Sequence, residues 1–231
     1  MLVHIISAIF LSFSFLICNG QSIIVGGSFS VLQIDSIIGT VNTLNKELAK
    51  AGYPGIEVKR SNTPDTKSIF ISISKKKIKS SATGSGPEVF SIISDGKKVS
   101  ITGNTALGVQ HGVFKYLETL GFRYYFPDPV WYIVPFKPSL FKNMNLVSGP
   151  SLGHRSIWYG YGTGSLLVDT IYRFWYKANR LGGSMQAVVG HSYEDIILRN
   201  KDVFLQHPEW FYPSAPRGTI PMADPKFDLA N

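Results

Sequence analysis

Residues 86–129 read GPEVFSIISDGKKVSITGNTALGVQHGVFKYLETLGFRYYFPDP, and this stretch decides the fold. Val89 to Ile93 is β-branched and aromatic, and Asp95-Gly96 after it is a strong short-range hairpin signal. Val99 and Ile101 alternate with polar residues, as a half-buried strand requires. Asn104 or Thr105 can cap a helix whose apolar face is Val109, Val113, Leu117 and Leu120. Gly108 and Gly112 stand one turn apart and let that helix lie close to a sheet. Gly121 sits where a helix ends in a left-handed residue. An aromatic strand over 122–126 follows, and Pro127 and Pro129 stop it.

Upstream of this stretch the pattern is also α/β. A short strand at 23–25 ends in Gly26-Gly27. Ile34, Ile37, Ile38, Val41, Leu44 and Leu48 recur every three to four residues, which predicts a helix over 30–51 with Gly52 as its stop. Strands are expected at 56–59 and 69–73. The order β-α-β-β-β-β-α-β predicts a small α/β sandwich, a mixed sheet with two helices on one face.

Residues 1–20 stand apart. They carry no Asp, Glu, Lys or Arg, and the apolar run 5–17 is followed by Cys18-Asn19-Gly20. This reads as a signal peptide cut near Gly20, the competing reading being an N-terminal membrane anchor. The run is shorter than the ~20 apolar residues a spanning helix needs. The mature chain is then secreted or periplasmic, with no membrane segment after cleavage. Cys18 is the sole cysteine, so cleavage leaves no disulfide framework and no thiolate metal site. The four remaining histidines, His111, His154, His191 and His207, show no zinc-like spacing, and neither a metal nor a cofactor is expected.

The net charge is +8, with Lys75, Lys76, Lys77 and Lys79 clustered after a strand. No aromatic residues interleave with these lysines, so they read as a solvated strand edge and not as a nucleic-acid site.

After Pro129 the texture changes. Residues 147–150 (VSGP) read as a linker, placing a domain boundary near 150. Beyond it a strand at 154–160 (HRSIWYG), a helix at 168–181, a strand at 185–189 and a short helix at 192–199 are expected. His111 is assigned to the polar face of its helix.

The run ITGNTALGVQHGVFKYLETLGFRYYFPD resembles the small α/β domain that precedes the catalytic barrel in several glycoside hydrolase families. These include the alpha-glucuronidases, the beta-N-acetylhexosaminidases and the alpha-N-acetylglucosaminidases. PSLGHRSIWYG, YKANRLGG, GHS and HPEWF look like the start of the barrel in a bacterial family allied to the alpha-glucuronidases. The resemblance implies an accessory domain at 21–149, then the first β/α repeats of a (β/α)8 TIM-type barrel at 150–231. A complete barrel takes about 250 residues. The expectation is therefore a fragment, the N-terminal portion of an exported glycoside hydrolase whose catalytic carboxylates follow Asn231. The alternative is a non-catalytic secreted glycan-binding protein. The expected partner is carbohydrate, a polysaccharide or glycan.

No catalytic acid is named. Asp169, Glu194 and Asp195 fall in first turns of expected helices, where a negative charge meets the helix dipole, and Glu209 reads as fixing a loop. Three residues are candidates for sugar binding. Arg155 offers a fork for hydroxyls or a uronate carboxylate, its competing reading being an internal ion pair. Trp158 could stack on a sugar ring, or serve as core. His191 follows Gly190 after the second expected barrel strand and could donate to a hydroxyl, or cap a loop.

Overall fold

The computed structural model describes residues 21–27, 31–81, 86–157, 166–183, 193–207 and 210. The chain divides into two compact units, 1–184 and 185–231. The described residues 150–157 and 166–183 fall in the first of these units.

That core is a six-stranded sheet in the order β2-β1-β3-β5-β4-β8. The strands are β1 (Ser22–Gly26), β2 (Glu57–Arg60), β3 (Ser68–Ile73), β4 (Phe90–Ser94), β5 (Val99–Gly103) and β8 (Met144–Ser148). β1 pairs in parallel with β2 and β3, and β3 in parallel with β5. β4 is antiparallel to both β5 and β8. The parallel part needs crossovers. Helix α1 (Val31–Lys50) leads from β1 to β2, and α2 (Ala106–Leu120) follows β5.

Strand alternation decides which side is core. Ile23, Ile69, Ile71, Ile92, Val99 and Ile101 are each at most 1% exposed. They meet Ile37, Val41, Leu44 and Leu48 of α1 and Val109, Val113, Leu117 and Leu120 of α2 in one buried cluster. Each such aliphatic side chain contributes roughly 1.5–3 kcal/mol when fully buried. The opposite face of the central ladder is mixed, with Phe70 and Ile93 beside small polar residues. Ser72, Thr102 and Ser91 are in register across β3, β5 and β4, with a 3.2 Å hydroxyl contact between Ser72 and Thr102.

Helix α2 is built as its residues require. Thr105 is the N-cap, its hydroxyl accepting from Gly108 N at 3.3 Å, and Gly121 ends the helix at φ 107°. Gly108 and Gly112 bring it onto the sheet. A Cβ at Gly108 would lie 2.6 Å from the Val89 carbonyl oxygen, and one at Gly112 would lie 2.7 Å from Ile101 Cγ2.

Two elements depart from the expected strands. The aromatic stretch after Gly121 forms only β6 (Arg123–Tyr124), which pairs with β7 (Tyr132–Ile133) in a separate two-stranded sheet. The turn between them is braced by Asp128, whose carboxylate accepts from Val130 N at 2.9 Å. The sixth place in the main sheet goes to β8, in a region that reads as linker at its C-terminal end. The segment before β8 is tied under the helices. Tyr53 donates to Pro138 O at 2.8 Å, and the fully buried Tyr116 donates to Leu140 O at 2.9 Å.

The rest of this unit is β9 (His154–Arg155), α3 (Leu166–Ala178) and β10 (Gly182–Gly183). β9 and β10 pair antiparallel, whereas neighbouring barrel strands run parallel. The described residues show a mixed α/β fold. α3 packs on α2, with Phe174 in edge contact with Phe114 and Tyr124 at 5.9 and 5.2 Å.

In the second unit, α4 (Tyr193–Arg199) and α5 (Lys201–Gln206) are separated by Asn200. His207 stacks flat on Trp210, ring centres 4.2 Å apart. No helix among the described residues is long and apolar enough to cross a membrane.

Candidate functional site

Arg155 is the one candidate sugar ligand within the described residues; Trp158 and His191 lie outside them. The guanidinium is turned inward. Nη2 donates to Glu88 Oε1 at 2.6 Å, Nε to Arg180 O at 3.1 Å and Nη1 to Leu152 O at 2.7 Å. Both charged side chains are mostly buried, Arg155 17% and Glu88 13% exposed. Glu88 sits in the turn just before β4, so this pair fastens β9 to the sheet unit. Arg155 thus forms an internal ion pair between a strand and a turn.

His111, on α2, is the third member. Its Nε2 lies 3.8 Å from the same Glu88 oxygen, and the residue is 3% exposed. His111 lies on the polar face of its helix, but that face is not open to solvent. That side of α2 is covered by the turn at Glu88. Burial pushes its pKa down to about 4; the Glu88 carboxylate opposes this, and Arg155 and Arg180 reinforce it. At neutral pH the imidazole is uncharged and can act as a donor or an acceptor, not as a cation.

Arg180 closes the cluster from the other side. It has φ 54° and pairs with Glu118 at 2.9 Å, while Lys115 meets the same carboxylate at 2.8 Å. Burial would raise the Glu118 pKa, but its bonds from Lys115 and the Arg180 charge bring it below the usual value. The arrangement is a chain of charge-assisted contacts that fixes loops. Every ionised group in it faces a partner.

A second buried carboxylate was not singled out from the sequence. Glu47 on α1 is 2% exposed, accepts from Tyr124 Oη at 2.9 Å and pairs with Lys50 at 2.5 Å. Burial and the adjacent Glu47 charge raise the Tyr124 phenol well above its usual range. The i, i+3 spacing to Lys50 is the only local signal for it. Asn104, the other capping candidate, does not cap α2, whose N-cap is Thr105. Its side chain accepts from Ile78 N at 2.7 Å and donates to Ile78 O and Gly86 O, so it holds the lysine-rich loop.

Asp169 lies in the first turn of α3, as expected. Glu194 and Asp195 fall within α4, and Glu209 lies outside the described residues. Among the described residues no group of His, Cys, Asp and Glu side chains could hold a metal ion.

No protein-family model and no curated protein matches the chain. Among solved structures it is similar to a GH138 enzyme targeting pectin rhamnogalacturonan II, at 18% identity, with 43% of this chain and 10% of that one covered and a TM-score of 0.33. It is also similar to a GH20 beta-N-acetylhexosaminidase from Streptomyces coelicolor A3(2), at 19% identity, with 56% and 21% covered and a TM-score of 0.35. The chain spans about a tenth and a fifth of the length of these two proteins. Likeness at this level carries no argument about what the chain does.

Proposed function

We propose that the protein is exported and acts on glycans as part of a glycoside hydrolase of alpha-glucuronidase or hexosaminidase type. In this reading residues 21–149 are the accessory α/β domain and the segment from 150 begins a barrel. The observation that supports it is the folding of residues 86–129 as one strand–turn–strand–helix unit pressed together at Gly108 and Gly112. That is the stretch on which the resemblance rests. Arg155 is a positioning residue here, since Glu88 and two carbonyls occupy it. Trp158 and His191 carry the sugar-binding role.

One feature favours the non-catalytic glycan-binding reading. Tyr125, Phe126, Trp131 and Phe136 are 56–80% exposed on and beside a turn braced by two prolines. Rigid, solvent-facing rings of this kind can stack on sugar faces.

The test is a glycan array with the chain, paired with a turnover assay on aryl glucuronides and aryl N-acetylhexosaminides. Saturable glycan binding that falls at least tenfold in Trp158→Ala or His191→Ala is expected, a loss of about 1.4 kcal/mol or more. Binding to no glycan, together with no turnover, would sink both readings.

A further inference from the structure

A cleft of about 430 Å³ lies between α1, α2 and α3, all within the first unit. Its walls are Asp35, Gly39 and Thr43 from α1, Gln110 from α2, and Arg173, Phe174 and Lys177 from α3, with Thr40 and Phe114 at its base. The volume is in the range of small-ligand sites.

The chemistry of the walls is selective. Arg173 and Lys177 are one turn apart on α3 and face the same cleft. Among the described residues neither has an ion-pair partner, and Asp35 and Gln110 have no hydrogen-bond partner. Arg173 and Lys177 therefore offer donors to an anion. The threonine hydroxyls are already committed as donors within α1, Thr40 to Ser36 O at 2.8 Å and Thr43 to Gly39 O at 2.9 Å. Their remaining lone pairs, with the Asp35 carboxylate, accept hydrogen bonds and so suit ligand hydroxyls. Phe174 adds an apolar ring. Gly39 keeps the wall low, because a Cβ there would meet nothing within 4 Å.

We propose that this cleft binds an acidic sugar, with Arg173 and Lys177 holding the anionic group and Asp35 and Gln110 holding hydroxyls. These residues are distinct from Trp158 and His191. A neutral sugar gains no charge-assisted bond from the two exposed cations, and a bare anion meets Asp35 as a like charge. Only a ligand with both an anion and hydroxyls matches the whole set.

The probe is D-glucuronate, titrated into the chain by isothermal calorimetry, with glucose, inorganic sulfate and N-acetylglucosamine 6-sulfate in parallel. Saturable glucuronate binding is expected, about tenfold weaker in Arg173→Gln because a charge-assisted bond is lost. Glucose should bind at least about tenfold more weakly than glucuronate for the same reason. Tighter binding of the sulfated sugar would assign the anion as a sulfate ester, still within the proposal. Gly39→Leu projects into open space, keeps the helix and should abolish binding while the protein stays folded. The proposal fails if glucuronate does not saturate, if Arg173→Gln and Gly39→Leu leave it unchanged, or if sulfate alone binds as tightly. Loss of glucuronate binding in Trp158→Ala would also overturn it, by moving the site to the other candidates.

Discussion

Alanine substitutions at Gly39, Gly108 and Gly112 separate helix propensity from close packing, since all three glycines are helical and only their surroundings differ. Replacing a helical glycine by alanine gains about 1 kcal/mol of propensity. At Gly39 nothing opposes this, as no atom lies within 4 Å of the new Cβ. At Gly112 the Cβ would stand 2.7 Å from Ile101 Cγ2 and 3.3 Å from Phe90 Cδ2. Overpacking of a core costs about 1–3 kcal/mol, so the net effect there is a loss of about 1 kcal/mol. Gly108 is the severe case. Its obstacles are the carbonyl oxygens of Val89 at 2.6 Å and Pro87 at 3.0 Å. These cannot rotate away. Val89 O is held by Asn104 N at 2.9 Å, and Pro87 O accepts from the Thr105 hydroxyl at 2.8 Å. With the overpacking cost at the upper end of its range, a net loss of about 2 kcal/mol is expected. Urea melts of the chain should rank the proteins Gly39→Ala, wild type, Gly112→Ala and Gly108→Ala from most to least stable. Each kcal/mol corresponds to about 2–4 °C in Tm for a chain of this size. A Gly108→Ala protein as stable as wild type would show that α2 does not lie against the β4 entry as described.

Two further outcomes follow from the buried charges. His111 has its pKa held at about 4 when folded, against 6.5 in an unfolded chain. The unfolded state therefore takes up a proton first as pH falls, and stability declines between about pH 6.5 and 4 by up to about 1.4 kcal/mol per pH unit. Urea midpoints measured across that range should fall less steeply in His111→Gln, and an NMR titration of His111 centred at 6 or above would contradict the burial argument. Glu88→Gln and Arg155→Met should each cost about 2 kcal/mol, because each leaves a mostly buried partner uncompensated. A double-mutant cycle of the two should give a coupling of about 1–3 kcal/mol, and additive losses would mean the pair is not formed in solution.

The sequence is most legible where local chemistry and packing agree. The helix expected over 30–51 is Val31–Lys50, and the N-cap at Thr105 and left-handed Gly121 fall where their residue types suit them. What could not be read depends on contacts between distant segments. His111 occupies a helix position with polar neighbours, and only the turn at Glu88 and the arginine on β9 make it buried. Arg155 was conspicuous; its partner 67 residues away was not. Strand β8 was hidden because a five-residue edge strand carries little period-2 signal. Its Met144, Asn145, Leu146, Val147 and Ser148 are all half-buried or exposed. The aromatic run after Gly121 has strong strand propensity, but Pro127 and Pro129 limit it to two paired residues off the main sheet.

The late position of β8 has a consequence for how the protein is made. β4 has one neighbour from nearby in sequence, β5, across a tight turn, and another some fifty residues later. Until residues 144–148 have been synthesised and laid down, the outer side of β4 is an open row of peptide groups beside the exposed Ile93. Such an edge is a template for pairing with other chains. The last strand of this sheet to arrive covers that side of β4 and leaves the short β8 as the edge. A chain stalled or cleaved before residue 144 should aggregate even though both helices and five of the six strands are present.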